Sequence, residues 1–256
     1  MNQLADCDLS ARLTAAEYDK RLAAAQRQLL KLRLASAGLV KNSSVGPGFL
    51  IVMEGVDAGG KGGAIRRLVE PLDPRHFTVN SYAKPTFDEK RRHFLWRFWR
   101  DIPGLGEFAV FDRSWYGRVL VERVQGYASN DQWTRAYDEI VHFERSLVLE
   151  GVEVIKFWLQ ISPEEQLRRF NKRKKDPMRA WKLTEEDWRN RERADEYAAA
   201  VDDMFSNTDH ILAPWTVISG EQKRWARVQI VENVVARMER ALASFEHPDW
   251  GEDGYA

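Results

Sequence analysis

A short apolar run that leads into a glycine-rich loop constrains the fold of this chain more than any other feature. Residues 49–53 read FLIVM, a pattern typical of a buried strand. After Gly55 there are four residues, then Gly60 and Lys61, and then a helical pattern. A strand, a glycine-rich turn and a helix in this order predict a phosphate loop, which we place at residues 55–63.

The chemistry of such a loop follows from its backbone. Glycines let the chain turn its N–H groups toward an anion, the next helix adds the positive end of its dipole, and Lys61 adds a point charge. Gly62 stands where a Ser or Thr usually supplies a magnesium contact, so we expect Asp57 to replace it. A plain glycine-rich turn is the alternative. The predicted backbone contacts to phosphate are Gly55, Ala58, Gly59, Gly60, Gly62 and Gly63.

Composition excludes several classes of protein. Lys plus Arg total 39 and Asp plus Glu total 39, so we expect neither a nucleic-acid partner nor an anionic membrane. Cys7 is the single cysteine, which excludes an internal disulfide framework and a cysteine-based zinc site. The sequence has no signal-peptide layout and no apolar run that could span a bilayer, so we expect a cytoplasmic protein.

The remaining pattern predicts an α/β fold with a parallel sheet flanked by helices, in a single domain over residues 1–256. An N-terminal helical arm at residues 12–45 is interpreted as a subunit contact, a support for the phosphate site, or a helix packed on the flank. Further strands are predicted at 77–82, 107–112, 152–161 and 210–218. The main helices are predicted at 12–35, 62–72, 131–149, 184–205 and 221–245, with others starting at Phe87 and Ser162.

An acidic residue ends the third predicted strand, where α/β sheets place their ligands. Asp112 is therefore predicted to share a magnesium ion with Asp57. Charged residues crowd the segment that follows, and this density favours a catalytic cluster over a simple helix cap. We predict that Arg113, Arg118 and Arg123 offset transition-state charge, and that Glu122 contributes to nucleotide binding.

The densest positive charge lies in residues 168–175, which hold six cations in eight residues. Beside a phosphate loop, this run predicts a phosphate-gripping lid rather than a solvated helix face. We call residues 165–205, which are predicted to be helical, the lid segment. The side chains predicted to hold phosphate or nucleotide are Arg66, Lys84, Arg168, Arg169, Lys172, Arg173 and Lys182.

Together these parts indicate phosphoryl transfer, which needs positioning and charge neutralisation more than covalent chemistry. A phosphate acceptor is already ionised near neutral pH, so the lack of an evident general base is no objection. An ATP-dependent nucleoside or nucleotide monophosphate kinase and a non-catalytic phosphate-binding module are the alternatives.

Several runs of the sequence resemble the polyphosphate kinase 2 family over about residues 15 to 245. They are EGVDAGGKGG at 54–63, FDRSWYGR at 111–118 with VER at 121–123, KFWL at 156–159 with IS at 161–162, EQLRRF at 165–170, WKLTEEDW at 181–188 and APW at 213–215. The resemblance implies a three-layer P-loop kinase fold of thymidylate-kinase type with a helical lid. It also implies Mg2+ as cofactor, assembly into homodimers or homotetramers, and a cationic channel for inorganic polyphosphate.

The same resemblance implies the substrates. Members of the family transfer phosphoryl groups between polyphosphate and nucleotides, and the run from Asp112 to Arg123 looks most like polyphosphate:AMP phosphotransferases. Those are often two fused copies of the domain, whereas this sequence holds one. The expected reaction is therefore AMP to ADP, with ADP to ATP left open, and with adenine favoured over guanine nucleotides.

Overall fold

Five parallel strands form one sheet in the order β2-β3-β1-β4-β5, so the strand that precedes the phosphate loop lies at its centre. The structure is a computed structural model that describes residue 4 and residues 6–41 and 43–246. Asn42 of the predicted arm and the last ten residues lie outside the described residues. The strands are β1 (Gly48–Gly55), β2 (Thr78–Ser81), β3 (Phe108–Asp112), β4 (Val152–Gln160) and β5 (Trp215–Ser219).

Within the described residues, ten α-helices connect and cover these strands, with short 3-10 turns at Pro74–His76, Trp115–Arg118 and Ala180–Lys182. They are α1 (Ala15–Ser36), α2 (Lys61–Val69), α3 (Phe87–Lys90), α4 (Trp96–Trp99), α5 (Val121–Val124), α6 (Asn130–Leu149), α7 (Pro163–Lys174), α8 (Glu185–Glu192), α9 (Ala194–Thr208) and α10 (Lys223–Ser244). None of these described helices has both the length and the apolar character needed to cross a membrane.

Side chains of β1 alternate between two hydrophobic cores, as the two-residue period of a strand requires. Leu50 and Val52 face a core built with α4, α5, α6 and α9. Phe49, Ile51 and Met53 face a second core built with α1, α2 and α10. Because both faces are covered, the strand reads as a continuous apolar run. The result is a three-layer α/β sandwich with the P-loop kinase arrangement, which confirms the predicted fold class.

The N-terminal helix packs on the flank of the sheet. Its buried residues include Leu22 and Leu29, which join the core shared with α2 and α10. Arg21 forms an ion pair with Glu232 of α10, and Arg33 donates to the carbonyl oxygen of His76. In the described chain, α1 therefore belongs to the same helical layer as α2 and α10. The division of residues 1–256 as a single domain stays a prediction.

Three predicted elements differ from the structure. The helix expected from Phe87 is two short ones, because i to i+3 hydrogen bonds from Arg91 and Arg92 close a tight turn after α3. The long helix expected over 184–205 breaks at Arg193, whose φ of −104° and ψ of 29° leave the helical region. The last strand starts only at Trp215, after Pro214, and residues 210 to 213 form a bridged turn. β5 lies at a sheet edge, where a proline beside the strand is tolerated.

The second half of the lid segment is rooted in the core. Ala200, Val201, Met204 and Phe205 of α9 are all buried among the side chains that cover the sheet. Displacing α9 would expose this apolar surface to water. The core therefore leaves room for a lid movement only in the first part of the segment.

A fully buried ion pair ties β4 to α6. Lys156 Nζ lies 2.8 Å from Glu144 Oε2, and both side chains are 0% exposed. Glu144 also accepts hydrogen bonds from Trp115 Nε1 and the Tyr116 hydroxyl, and His210 Nε2 lies 3.0 Å from it. Burial would raise the pKa of Glu144, but Lys156 and these hydrogen bonds bring it below its ordinary value. The network fixes the segment that follows β3.

We predict that Glu144→Gln lowers the free energy of unfolding by about 3–5 kcal/mol, because it leaves the Lys156 ammonium buried without a counter-ion. Chemical denaturation measures the loss. Glu150→Gln at the exposed end of the same helix is the matched control, expected to stay within about 0.5 kcal/mol of the parent. Equal losses of unfolding free energy in the two variants would contradict the role of Glu144 as the counter-ion of Lys156.

Candidate active site

The phosphate loop depends on glycine at two positions with left-handed backbone angles. Gly55 has a φ of 142° and Gly60 a φ of 117°. A Cβ at Gly55 would lie 2.5 Å from the carbonyl oxygen of Leu159, so a side chain there has no room. A Cβ at Gly62, in contrast, would meet nothing within 4 Å. The loop is thus closely packed on β4 at its start and open at the position where a hydroxyl residue is commonly found.

The loop leaves backbone donors available for an anion. The N–H groups of Ala58, Gly60, Lys61 and Gly62 donate to no acceptor within the described chain, and the last two open α2. Lys61 Nζ donates to the carbonyl oxygen of Gly55 at 2.7 Å, so its ammonium group lies over the loop. Free N–H groups, a helix N-terminus and an ammonium group together make an anion site.

Arg169 of α7 holds the other side of the phosphate loop. Its Nη1 donates to the carbonyl oxygens of Ala58 and Gly59 at 2.8 and 2.9 Å. Its Nη2 donates to those of Gly220 and Glu221 at 2.6 and 3.1 Å. Its Nε donates to a carboxylate one turn earlier in α7. All five N–H groups of the buried guanidinium are therefore used, and the loop is fastened to α7 and to the turn after β5.

That carboxylate belongs to Glu165, which also binds the exposed Arg168. Hydrogen bonds from Arg168 and Arg169 lower the pKa of Glu165 to about 2. Glu165 therefore stays ionised throughout the neutral range, and the arginine that fastens the loop keeps its partner.

A cavity of about 770 Å³, which we call the cationic cavity, lies over the phosphate loop. The lid segment, the end of β2, α2 and the start of α10 form its walls. Acidic lining residues are limited to Asp57, Asp112, Glu186 and Asp187. The basic ones are far more numerous: Lys61, Arg66, Arg67, Arg113, Arg169, Lys172, Arg173, Arg179, Lys182, Lys223 and Arg227.

The charge density of the cationic cavity perturbs one of its lysines. Partial desolvation, with the positive charges of Arg169, Arg227 and Lys172, lowers the pKa of Lys223 to about 8. Lys223 begins α10, a position where the helix dipole favours acidic residues instead. Cations held against one another in this way favour a polyanionic ligand that would relieve their repulsion.

A second cavity of about 400 Å³, the apolar cavity, lies on the other side of the loop. Much of its wall is hydrophobic and comes from the turn after β3, the end of β4, and α9. The apolar lining residues include Val56, Leu120, Val121, Trp158, Ile161, Ala198 and Val201. Its size and character are suited to a ring system rather than to a highly charged chain.

Five residues line both cavities and so form a shared wall: Asp57, Lys61, Arg113, Glu186 and Asn190. A ligand in one cavity and a ligand in the other would meet at this wall. The lysine and the arginine provide positive charge at the point of contact, and the two acids provide oxygen ligands.

The backbone at Arg113 is strained, with a φ of 68° in a residue that is not glycine. Its N–H donates to the carbonyl oxygen of Met53, and the next residue, Ser114, donates from its hydroxyl to Glu54 Oε1 at 2.8 Å. Burial lowers the pKa of Arg113, but the carboxylates of Asp57 and Glu54 outweigh it and raise the pKa overall. The guanidinium is thus held charged at the shared wall.

Glu54 is a buried acid that the sequence reasoning passed over. Burial raises its pKa, and the charge of Lys61 and the Ser114 hydrogen bond partly offset this effect. The sequence does carry a signal for Glu54, because an acid at the end of an otherwise apolar strand needs a hydrogen-bonding or charged partner.

The two predicted metal ligands line the same cavity. Asp57 lies within the loop and Asp112 ends β3, the strand beside β1. No group of three or more His, Cys, Asp or Glu side chains that could hold a metal occurs in the part of the chain that is described. Two carboxylates suit Mg2+, which usually takes one or two from the protein and its other ligands from water and substrate phosphates.

The structure brings most predicted site residues to the two cavities but leaves five outside them. Arg118 pairs with Glu122 at 3.1 Å. Arg123 pairs with Asp203 of α9 at 2.8 Å and stacks on Trp133. Arg168 is 65% exposed and pairs with Glu165. The fifth residue is Lys84, which follows Ala83, a residue of the cavity wall.

Sequence reasoning missed other residues of the two cavities: Arg67, Glu186, Asn190, Lys223 and Arg227. A signal existed for Lys223, because basic residues without acids in the first turn of a helix oppose the dipole. Asn190 carries no signal of its own in the sequence, since its role depends on which face of α8 meets the loop.

Comparison with known proteins finds a family model and relatives that match most of the chain. The family model described as "Polyphosphate kinase 2 (PPK2)" matches residues 12–246. The polyphosphate:AMP phosphotransferase of Pseudomonas syringae pv. tomato is 47% identical over 236 residues, covering 92% of this chain and 46% of that protein. This chain therefore spans about half the length of the first curated relatives it matches.

Two further relatives match over most of their length. The GDP-polyphosphate phosphotransferase of Mycolicibacterium smegmatis is 38% identical over 228 residues, covering 89% of this chain and 78% of that protein. The crystal structure of polyphosphate kinase 2 from Arthrobacter aurescens superposes with a TM-score of 0.86 at 30% identity, covering 99% of this chain and 89% of that one.

The Arg169 contacts predict a contrast between two neighbouring arginines. Arg169→Lys retains the charge but cannot make five hydrogen bonds, so we expect it to lower the free energy of unfolding by about 3 kcal/mol or more. Arg168→Lys changes an exposed ion pair and should cost less than about 1 kcal/mol. Denaturant titration of both variants tests this, and a loss as large for Arg168 as for Arg169 would refute it.

Proposed function

The chain belongs to the polyphosphate kinase 2 family, and from this membership we propose that it transfers a phosphoryl group between inorganic polyphosphate and a nucleotide. AMP is the favoured acceptor, giving ADP, and ADP to ATP is the second reaction to test. Adenine nucleotides are favoured over guanine nucleotides as partners, because the named relatives with AMP activity are the more similar in sequence.

The observation that carries the proposal is the pair of cavities that meet at one wall. The cationic cavity has the charge and volume to hold a chain of phosphates against the phosphate loop. The apolar cavity can take the base and sugar of the acceptor, and its shared wall carries Lys61 and Arg113. A donor phosphate and an acceptor phosphate would then approach each other at these two cations.

The transfer forms one P–O bond and breaks another. An oxygen of the acceptor phosphate attacks the terminal phosphorus of polyphosphate, and the bridging oxygen of the next phosphate leaves with the bond pair. The acceptor is already ionised near neutral pH, so no side chain has to remove a proton. Lys61, the free loop N–H groups and Arg113 would stabilise the charge on the transferred group. Arg118 and Arg123 pair with Glu122 and Asp203 outside the two cavities, and their predicted part in offsetting this charge stays a prediction.

We propose Mg2+ as the cofactor, with Asp57 and Asp112 as the protein ligands. When bound, the cation would neutralise phosphate oxygens and help to orient the two substrates. The open space beside Gly62 leaves room for substrate oxygens and water near the loop.

Further properties of this protein are also proposals. The first part of the lid segment would close over the cationic cavity, to which it contributes Lys172, Arg173 and Lys182. Assembly as a homodimer or homotetramer and a place in the cytoplasm remain predictions, as does the absence of nucleic acid and membrane partners.

The decisive experiment supplies purified protein with Mg2+, long-chain polyphosphate and either AMP, ADP or GDP, and separates the products by chromatography. ADP formed from AMP is the expected result. Product from ADP alone would assign the protein to diphosphate acceptors. Activity with ATP as donor and none with polyphosphate would overturn the proposal in favour of a conventional nucleotide kinase. Binding without turnover would indicate a phosphate-binding module.

Two substitutions test the site in the same assay. Lys61→Ala removes the cation over the phosphate loop, and Asp112→Asn removes a proposed metal ligand. Each is expected to lower kcat by about 100-fold or more, since both act on charge in the transition state. Lys31→Ala on the exposed face of α1 is the control. Full activity in either site variant would refute the site assignment.

Lys223 predicts how polyphosphate affinity depends on pH. A lysine is charged below its pKa and neutral above it, so with a pKa of about 8 the cationic cavity loses one charge between pH 7 and pH 9. The KM for polyphosphate should therefore rise by about tenfold over this range, and Lys223→Arg should remove most of the rise. Identical profiles for the parent and the variant would contradict a role for Lys223.

A further inference from the structure

Asn190 of α8 is a hydrogen-bonding centre at the shared wall between the two cavities. Its Nδ2 donates to Asp57 Oδ2 at 2.8 Å. Its Oδ1 accepts from Gln125 Nε2 at 3.0 Å and from the Tyr197 hydroxyl at 2.9 Å. Because two donors fix the oxygen, the amide nitrogen has to face the carboxylate. One partly buried side chain thus joins α8 to the phosphate loop, to the end of α5 and to α9.

The Asp57 carboxylate has weaker contacts on its other side. Its Oδ1 lies 3.6 Å from Arg113 Nη2, which is an ion pair but too long for a hydrogen bond. Gln166 of α7 donates to the backbone carbonyl oxygen of Asp57 and does not restrain its side chain. In the described structure, the direction of the carboxylate is therefore set mainly by a residue of the lid segment.

The chemistry of an amide suits this position. A lysine or arginine in place of Asn190 would also hold Asp57, but its charge would neutralise the carboxylate. An asparagine donates a hydrogen bond and leaves the full negative charge, with the lone pairs of Oδ1 still open to a cation. The contact with Asn190 therefore orients the Asp57 carboxylate and leaves its negative charge unchanged.

We propose that Asn190 is a positioning residue that couples the placement of α8 to the direction of the Asp57 carboxylate. Closing the lid segment and aligning the carboxylate at the phosphate loop are then one event. The coupling itself is a property of the protein alone. Only its consequence for catalysis rests on the proposed function.

Hydrogen–deuterium exchange without substrate tests the coupling directly. Asn190→Ala should speed exchange by about tenfold or more in a peptide covering α8 and also, in one covering residues 55–61, at the hydrogen-bonded amides of Val56 and Gly59, because a hydrogen bond to a charged acceptor is lost. Coupling is reciprocal, so Asp57→Ala should speed exchange in α8. Combining both substitutions should add little to either alone, because each removes the same contact.

Arg189→Ala is the matched control on the same helix. Arg189 lies 3.8 Å from the exposed Glu185 and does not line either cavity, so exchange in both peptides should change less than about twofold. Faster exchange confined to α8 in Asn190→Ala, or an unchanged α8 in Asp57→Ala, would overturn the proposal.

A kinetic readout separates this role from a general loss of structure. In the polyphosphate assay, Asn190→Ala should lower kcat by about 10-fold to 100-fold while both KM values stay within about threefold, since alignment and not binding is affected. A rise in KM with kcat unchanged would assign Asn190 to substrate binding and refute positioning. If no polyphosphate activity exists, the proposed function fails, and the exchange experiment still decides the coupling.

Discussion

The five hydrogen bonds of Arg169 are the interaction on which the rest of the site depends. A phosphate loop must direct its N–H groups toward an anion, and its carbonyl groups then need donors from elsewhere. A guanidinium supplies five donors in one rigid plane, and at this site they serve two segments that are distant in sequence. Contacts within the protein therefore hold the loop in shape, which reduces the cost of ordering it on binding.

The neutral composition of the chain conceals an uneven distribution of charge. Basic side chains converge on the cationic cavity, whereas buried acids such as Glu144 and Glu165 are paired with cations inside the fold. Desolvation, together with the cations crowded at the carboxyl end of the sheet, lowers the pKa of Lys223. A polyanion would offset the repulsion among these cations, and this links the stability of the protein to the binding of such a ligand.

The sequence predicted those features that depend on local pattern. The phosphate loop, four of the five strands and the strand-end acid Asp112 follow from period, glycine spacing and strand length. It could not separate Arg168 from Arg169, because neighbouring helix positions point about 100° apart and only packing decides which one faces inward. For the same reason the sequence could not show that Arg118 pairs with Glu122 and Arg123 with Asp203, and the catalytic role of these two arginines stays a prediction. Asn190 could not be identified from the sequence, because its role depends on contacts with residues far away along the chain.

Two of the contacts between the lid segment and the phosphate loop have opposite chemistry. At its start, Arg169 binds loop carbonyl oxygens through contacts that are buried and complete. Near its middle, Asn190 binds the Asp57 carboxylate through one contact at the edge of two cavities. The first contact fixes the loop, and α9 is fixed by the core, so the lid movement that we propose falls in the stretch between them. Such a movement would have to release the contacts of α8, which include the Asn190 bond to Asp57 and the Arg191 bonds to Pro163 and Gln166, so the surroundings of Asp57 would change with it.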